Sequence, residues 1–295
     1  MKKIVIFLIL IFFYSIVKSQ TCSTLGQTPA TAFPICGTSN FIQTSVPICT
    51  NNNVYSPSCN TSYPDANPFW YKFTCYSSGT LGFLITPNNL GDDYDWQLFD
   101  ITGRNPSDVY TDRTLFVCCN WSGVTGLTGT SDTATAANQC ASPTTYATGG
   151  VSPFSQKPNL IQGHTYLLLV SHYTVSQSGY AISLSGGTAI ITDTTTPNYT
   201  KASGICGGKN IYIKLNKKVQ CKSIAPDGSD FTLSPALNLI SASGVGCDNS
   251  FDTDSITVQL NAPISPGNYS IIQKVGNDGN TLLDNCSNPV AVGRS

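Results

Sequence analysis

The chain has 295 residues, a formal net charge of −1 and only 11% charged residues. That length allows about two domains of ordinary size. Ser, Thr, Asn, Gln and Gly must supply the surface polarity that charge supplies in typical soluble chains, where roughly a quarter of residues are charged. Lys and Arg form no run longer than Lys2-Lys3 and Lys217-Lys218, which excludes the basic footprint of nucleic-acid binding.

The first segment reads as a secretory signal. Lys2 and Lys3 precede an apolar stretch, Ile4 to Val17, that is too short for a comfortable membrane span. Val17-Lys18-Ser19 ends on a small residue. The pattern predicts a signal peptide over 1–19, a mature start at Gln20, no transmembrane segment after cleavage, and a secreted or cell-surface location.

Twelve cysteines in an exported chain point to disulfides. Eight precede residue 141: Cys22, Cys36, Cys49, Cys59, Cys75, Cys118, Cys119 and Cys140. Four follow 205: Cys206, Cys221, Cys247 and Cys286. Both counts are even, so each half is expected to be able to close its own set, with the pairing left open. No C-x-x-C pair supports a thiolate metal site.

Residues 20–66 are rich in Cys, Pro, Asn, Ser and Thr and read as an initial strand followed by a long cystine-stapled loop. From 68 to 76 the chain alternates. Phe69, Tyr71, Phe73 and Cys75 share one face, with Trp70, Lys72, Thr74 and Tyr76 on the other. Leu81, Phe83 and Ile85 repeat the pattern. Tyr94, Trp96 and Leu98 follow, opposed by Phe99 and Ile101. Leu115-Phe116-Val117 is a shorter strand, and 120–158 reads as a low-complexity loop. His164 to Tyr173 is apolar on both faces and marks a central strand buried on both sides. Tyr180, Ile182 and Leu184 form the next strand.

Residues 192–197, T-D-T-T-T-P, read as a linker. Beyond it, apolar residues recur at period two around Ile213, Leu233, Leu239, Val258 and Ile271. Turn signals such as Pro226-Asp227-Gly228 and Asn277-Asp278-Gly279 separate them. The fold class is all-β: a jelly-roll-like β-sandwich over 20–191 and an Ig-like β-sandwich over 198–295. Asn288 to Gly293 reads as the loop before a last edge strand, so the second sandwich is expected to lack that strand.

Several blocks carry a resemblance. N67-P-F-W-Y-K-F-T-C, G79-T-L-G-F-L-I-T-P-N-N-L-G-D-D-Y-D-W-Q-L-F-D-I-T-G, N120-W-S-G, and N159-L-I-Q-G-H-T-Y-L-L-L-V-S-H-Y with S178-G-Y-A-I-S-L-S-G-G together resemble large secreted, gliding motility-associated proteins of Bacteroidota. Within them the first module is similar to the pre-peptidase C-terminal domain. Residues 197–295, with I211-Y-I-K-L-N-K-K-V and D227-G-S-D-F-T-L-S, look like the Ig-like domain of S-layer proteins. The resemblance implies an accessory, cell-surface role. Two features depart from it: the type IX sorting domain is absent, and Cys118-Cys119 stands where ordinary strand residues are expected. Neighbouring cysteines bond to each other only with strain, so each is expected to reach a different partner, or one is free.

Three groups of residues bear on chemistry. Asp92, Asp93 and Asp95, with Asp100, Asp108 and Asp112 nearby, form the densest carboxylate cluster. Calcium takes several hard oxygen ligands, which makes Asp92, Asp93 and Asp95 the candidate metal site, Ca2+ being the one cofactor suggested. The competing reading is turn chemistry, in which Asp bonds its own backbone. His164 and His172 lie about 26 Å apart on one straight strand at ~3.3 Å per residue, which excludes a joint site. Trp70, Tyr94, Trp96 and Trp121 could stack on sugars, although strand alternation favours core roles. The signatures G-x-S-x-G, H-E-x-x-H and the P-loop are missing, so no catalytic residue is named. The expected function is a non-enzymatic secreted module for adhesion, spacing or binding of a surface glycan or protein. The alternatives are a calcium-dependent carbohydrate-binding module and an accessory domain of a secreted hydrolase.

Overall fold

The structure, a computed structural model, describes residues 21–37, 40–46, 48–141 and 151–295. The signal-peptide expectation over 1–19 therefore lies outside the described residues, as does part of the 120–158 loop.

Period-two alternation produces strands throughout, and the helical turns among the described residues are short 3-10 turns. In chain order the first region contains β1 (Phe33–Pro34), β2 (Asn40–Ser45), β3 (Thr50–Ser56), β4 (Thr61–Ala66), β5 (Phe69–Thr74), β6 (Gly79–Thr80) and β7 (Leu84–Pro87). It continues with β8 (Tyr94–Asp100), β9 (Phe116–Asn120), β10 (Thr128–Ser131), β11 (Phe154–Gln156), β12 (Asn159–Leu160), β13 (Thr165–His172) and β14 (Ser178–Ser183). The second region contains β15 (Tyr199–Gly204), β16 (Asn210–Gln220), β17 (Phe231–Ser234), β18 (Leu239–Gly244), β19 (Asp252–Leu260) and β20 (Ser270–Gln273). The protein is all-β, as the sequence predicts.

Two five-stranded sheets face each other in the first region, ordered β1-β5-β13-β8-β9 and β11-β10-β7-β14-β2. Tyr71 and Phe73 of β5, Leu168 and Val170 of β13, and Trp96 and Leu98 of β8 fill the space against Ile85, Tyr180 and Ile182 of the second sheet. The two sheets are also joined by a hydroxyl pair, Tyr71 and Tyr180, at 2.8 Å. In the second region, β15-β16-β19-β18 packs on the pair β17-β20 around Ile213, Val258, Leu233 and Ile271.

A third layer covers the outer face of the first sheet. Trp70, Phe99, Cys119, Leu167 and Leu169 point away from the sandwich interior and are buried under Val54, Val109 and Leu115. The covering pieces are the β3–β4 hairpin and the 3-10 turns at Pro106–Tyr110 and Arg113–Leu115. Here the sequence reading of 20–66 is corrected, because β2, β3 and β4 replace most of the expected loop. The loop expected at 120–158 is likewise interrupted by β10 and β11, which pair in parallel. Asp65, fully buried, locks the third layer by accepting from the Asn51 and Asn52 amides at 2.9 Å and from the Tyr110 hydroxyl at 2.6 Å.

Four disulfides form: Cys22–Cys49, Cys36–Cys286, Cys59–Cys140 and Cys221–Cys247. The expectation that each half closes its own set fails at Cys36–Cys286. β1 lies at the edge of the first sheet and brings Cys36 against the segment that carries Cys286, with Cα atoms 4.9 Å apart. Phe33 packs edge-on against Phe251 beside that bridge, at 4.8 Å between ring centroids. Cys75, Cys118, Cys119 and Cys206 are free thiols. The expectation that each of the adjacent pair reaches a different partner, or that one is free, is corrected, since both are unbonded; as strand neighbours they point apart, Cys118 into the sandwich interior and Cys119 into the outer layer.

Candidate binding site

Strand parity divides the three aspartates. Asp92 turns toward the sandwich interior, where its Oδ2 accepts from the Ser176 hydroxyl at 3.1 Å and lies 3.6 Å from His172 Nε2. The His172 ring is fully buried and stacks on Tyr94 at 4.2 Å, and burial lowers its pKa. Asp93 and Asp95 are two residues apart and line a cavity over the outer face. A single calcium site on Asp92, Asp93 and Asp95 is therefore not assembled, and no cluster of three or more His, Cys, Asp or Glu able to hold a metal ion occurs among the described residues.

The remaining acids match the turn-chemistry reading. Asp108 accepts from the Asn105 amide at 3.1 Å and Asp112 from the Thr114 amide at 3.0 Å, each at the start of a 3-10 turn. Asp100 meets His164 Nδ1 at 2.6 Å. His164 and His172 sit at opposite ends of β13, as read from the sequence.

The floor of the outer cavity follows from strand register. Asp95 on β8 lies opposite Ser171 on β13, and the Tyr173 amide donates to the Asp93 carbonyl at 3.0 Å. Tyr63 and Pro64 of β4 and Trp121, just past β9, form one wall. The cavity encloses about 410 Å³. Trp121 stacks face to face on Tyr63, with ring centroids 4.4 Å apart and planes 11° from parallel. Its indole N–H donates to Gln97 Oε1 at 2.9 Å, and the Gln97 amide donates to the Tyr55 carbonyl at 3.0 Å. The aromatic wall is thus fixed from behind by β8 and the hairpin. Cys59–Cys140 ties the hairpin to the segment after β10, and the Gln139 carbonyl on that segment receives the Trp121 amide.

Asp93 is 7% exposed and Asp95 is 5% exposed. Among the described residues no hydrogen bond reaches the Oδ1 atom of either, and no salt bridge forms with either. Burial pushes the Asp93 carboxyl up to about 6. Burial, and secondarily the negative charge of Asp93, pushes Asp95 well above the ordinary carboxylate range. Taking carboxylates out of water without a partner is costly. The pair is therefore an unneutralised acid couple behind aromatic walls.

All four aromatics weighed for stacking are buried in the core, as strand alternation favoured, and of these only Trp121, 3% exposed, also lines the cavity. Sequence reasoning missed Tyr63, Ser171 and Tyr173. The available signal was parity, since period-two alternation separates Asp92 from Asp93 and Asp95 and puts Ser171 and Tyr173 on one face of the strand end.

Comparison with family models, curated proteins and solved structures finds no match for this chain. No helix among the described residues is long and apolar enough to cross a membrane.

Proposed function

We propose that this chain is a non-enzymatic, exported module that binds a partner at the cell surface, in the manner of the accessory regions of the gliding motility-associated proteins it resembles. One observation carries the reading: a cavity of ligand size, about 410 Å³, walled by Trp121 and Tyr63 on the outer face of the first sandwich. Its walls are held by a disulfide and by hydrogen bonds from behind, so it exists before any ligand arrives, and preformed sites bind with less ordering cost. The four disulfides and the leader-like pattern at the N-terminus support export.

The test is an array of surface glycans and peptides probed with the full chain and with Trp121→Ala. Binding that falls at least tenfold in the variant, with no turnover of bound ligand, is expected. Binding unchanged by the substitution, or hydrolysis of a bound glycan, overturns the reading.

A second reading is favoured by the stacked Trp121–Tyr63 face, which suits a sugar ring, beside two carboxylates that could accept its hydroxyls or hold calcium. It requires the melting temperature to rise with calcium and the rise to vanish in Asp93→Ala and Asp95→Ala. A melting curve indifferent to chelator removes its calcium component.

A further inference from the structure

We infer that the outer cavity recognises a primary alkylammonium group, the chemistry of a lysine side chain or a free aliphatic amine. The inference rests on the proposed binding role of this same cavity and names its ligand class.

The first argument is charge. Asp93 and Asp95 are each more than nine-tenths buried, lie two residues apart at the start of β8, and carry Oδ1 atoms with no partner among the described residues. Among the described residues no Lys, Arg or His side chain lines the cavity. Other buried carboxylates of this chain have partners: Asp65 accepts four hydrogen bonds from Asn51, Asn52 and Tyr110, Asp284 pairs with Lys217 at 2.7 Å, and Asp230, whose Oδ1 is also unpartnered, accepts from the Ala225 amide through Oδ2 at 2.7 Å. The couple in the cavity differs in that neither side chain receives a hydrogen bond or an ion pair among the described residues, and a cation supplied by a ligand would complete it. Breaking a buried ion pair is strongly unfavourable, and by the same physics a ligand that creates one recovers that free energy.

The second argument is hydrogen-bond sense. The Trp121 indole N–H is already given to Gln97, and the Ser171 hydroxyl is already given to the Ala66 carbonyl at 2.9 Å. Of the side chains that line the cavity, those left apart from the hydroxyls of Tyr63 and Tyr173 are the two carboxyl groups, which as carboxylates are acceptors. An ammonium carries three donors and no acceptor, which fits this lining, whereas a sugar hydroxyl brings an acceptor for each donor.

The third argument is the walls. Trp121 and Tyr63 stand beside the acid pair, and Tyr173 is 66% exposed at the opening. Aromatic faces attract ammonium groups and also pack the methylenes behind them. An inorganic divalent cation gains nothing from such walls and takes more oxygen ligands than the two carboxylates supply.

Titration of the full chain, followed by tryptophan fluorescence and calorimetry, tests this. The probes are n-pentylammonium chloride, its neutral counterpart 1-pentanol, Nα-acetyl-lysine N-methylamide, glucose and calcium chloride. Both ammonium probes should bind at least tenfold more tightly than 1-pentanol. Asp93→Asn and Asp95→Asn should each remove that preference while the protein keeps or raises its melting temperature, and Trp121→Phe should abolish the fluorescence response. Tighter binding of the lysine derivative than of pentylammonium identifies a protein-borne amine, and the reverse a free one. Equal binding of pentanol, or a response to glucose or calcium alone, overturns the ammonium assignment and leaves the cavity a binding site. Ammonium binding that survives both asparagine variants overturns it as well. Silence toward every probe overturns the assignment, whereas the binding role itself fails only if the array of surface glycans and peptides is silent too.

Discussion

In the first sandwich, every residue of β13 from Tyr166 to His172 is buried, so both faces of the strand are covered. In the second, β16 alternates: Ile211, Ile213 and Leu215 are buried, while Tyr212 and Lys214 are exposed. The difference lies in the third layer. A sheet with one face in solvent needs only an alternating pattern, whereas a sheet covered on both faces needs apolar residues at successive positions. Where that covering layer stops, at the end of β13 near Ser171 and Tyr173, the cavity opens. The outer face of the first sandwich thus carries a cavity at the edge of its covering layer, and the second sandwich presents its polar face without a comparable covering.

Three measurements would break or sharpen this contrast. The largest effect is expected for the bridge that joins the two regions. In Cys286→Ser with Cys36→Ser, a closed loop with a sequence separation of 250 is released. By chain entropy such a loop is worth about 5 kcal/mol. Denaturant unfolding should shift strongly and split into two transitions. A single unshifted transition would show that the regions stay coupled without the bridge.

Next come paired core truncations. Leu169→Ala under the third layer and Ile256→Ala in the second sandwich each remove a fully buried side chain, for about 2–5 kcal/mol. On the bridge-free background, each should lower only its own transition. Leu169→Ala should also weaken ligand binding in the outer cavity, and Ile256→Ala should not. Equal effects on binding would dissolve the distinction between the faces.

The smallest effect concerns the acid couple. A carboxyl raised in the folded state binds its proton more tightly there than in the unfolded chain. Its stabilising contribution is therefore complete below about pH 4 and is lost as pH rises through about 6 for Asp93. Ionised Asp93 then weighs against folding by up to about 3 kcal/mol. Asp93→Asn should be more stable than the parent at pH 7–8 and level with it at pH 4, by thermal melts across that range. A variant less stable at pH 8 would mean that the carboxylate has a partner in solution.

What the sequence made legible follows from this contrast. Alternation at Phe69–Thr74 and Ile211–Leu215, and the doubly apolar His164–Tyr173, fixed strand identity and burial because side-chain direction in a strand is a local property. The β3–β4 hairpin was illegible for a physical reason. Thr50–Ser56 buries only Val54 and Ser56 fully, and its place is set by Asp65 and by two disulfides rather than by an apolar face. The site was half legible. Trp121 and the aspartates stood out by type, but Tyr63 meets Trp121 across 58 positions of sequence, through a hairpin that no pattern announced. The crossing pair Cys36–Cys286 was hidden because even cysteine counts in each half do not specify pairing.

That crossing bridge also determines how the chain would respond to mechanical tension. A pull applied before Cys36 and after Cys286 passes from backbone to sulfur and back to backbone, bypassing everything between. All of the first sandwich but β1, and all of the second but the segment after Cys286, lie inside the bypassed loop, and the cavity with them. A surface module strung between two anchors would transmit force along this covalent shortcut while its sheets stayed folded, and an attached ligand would remain in a site that the load never crosses.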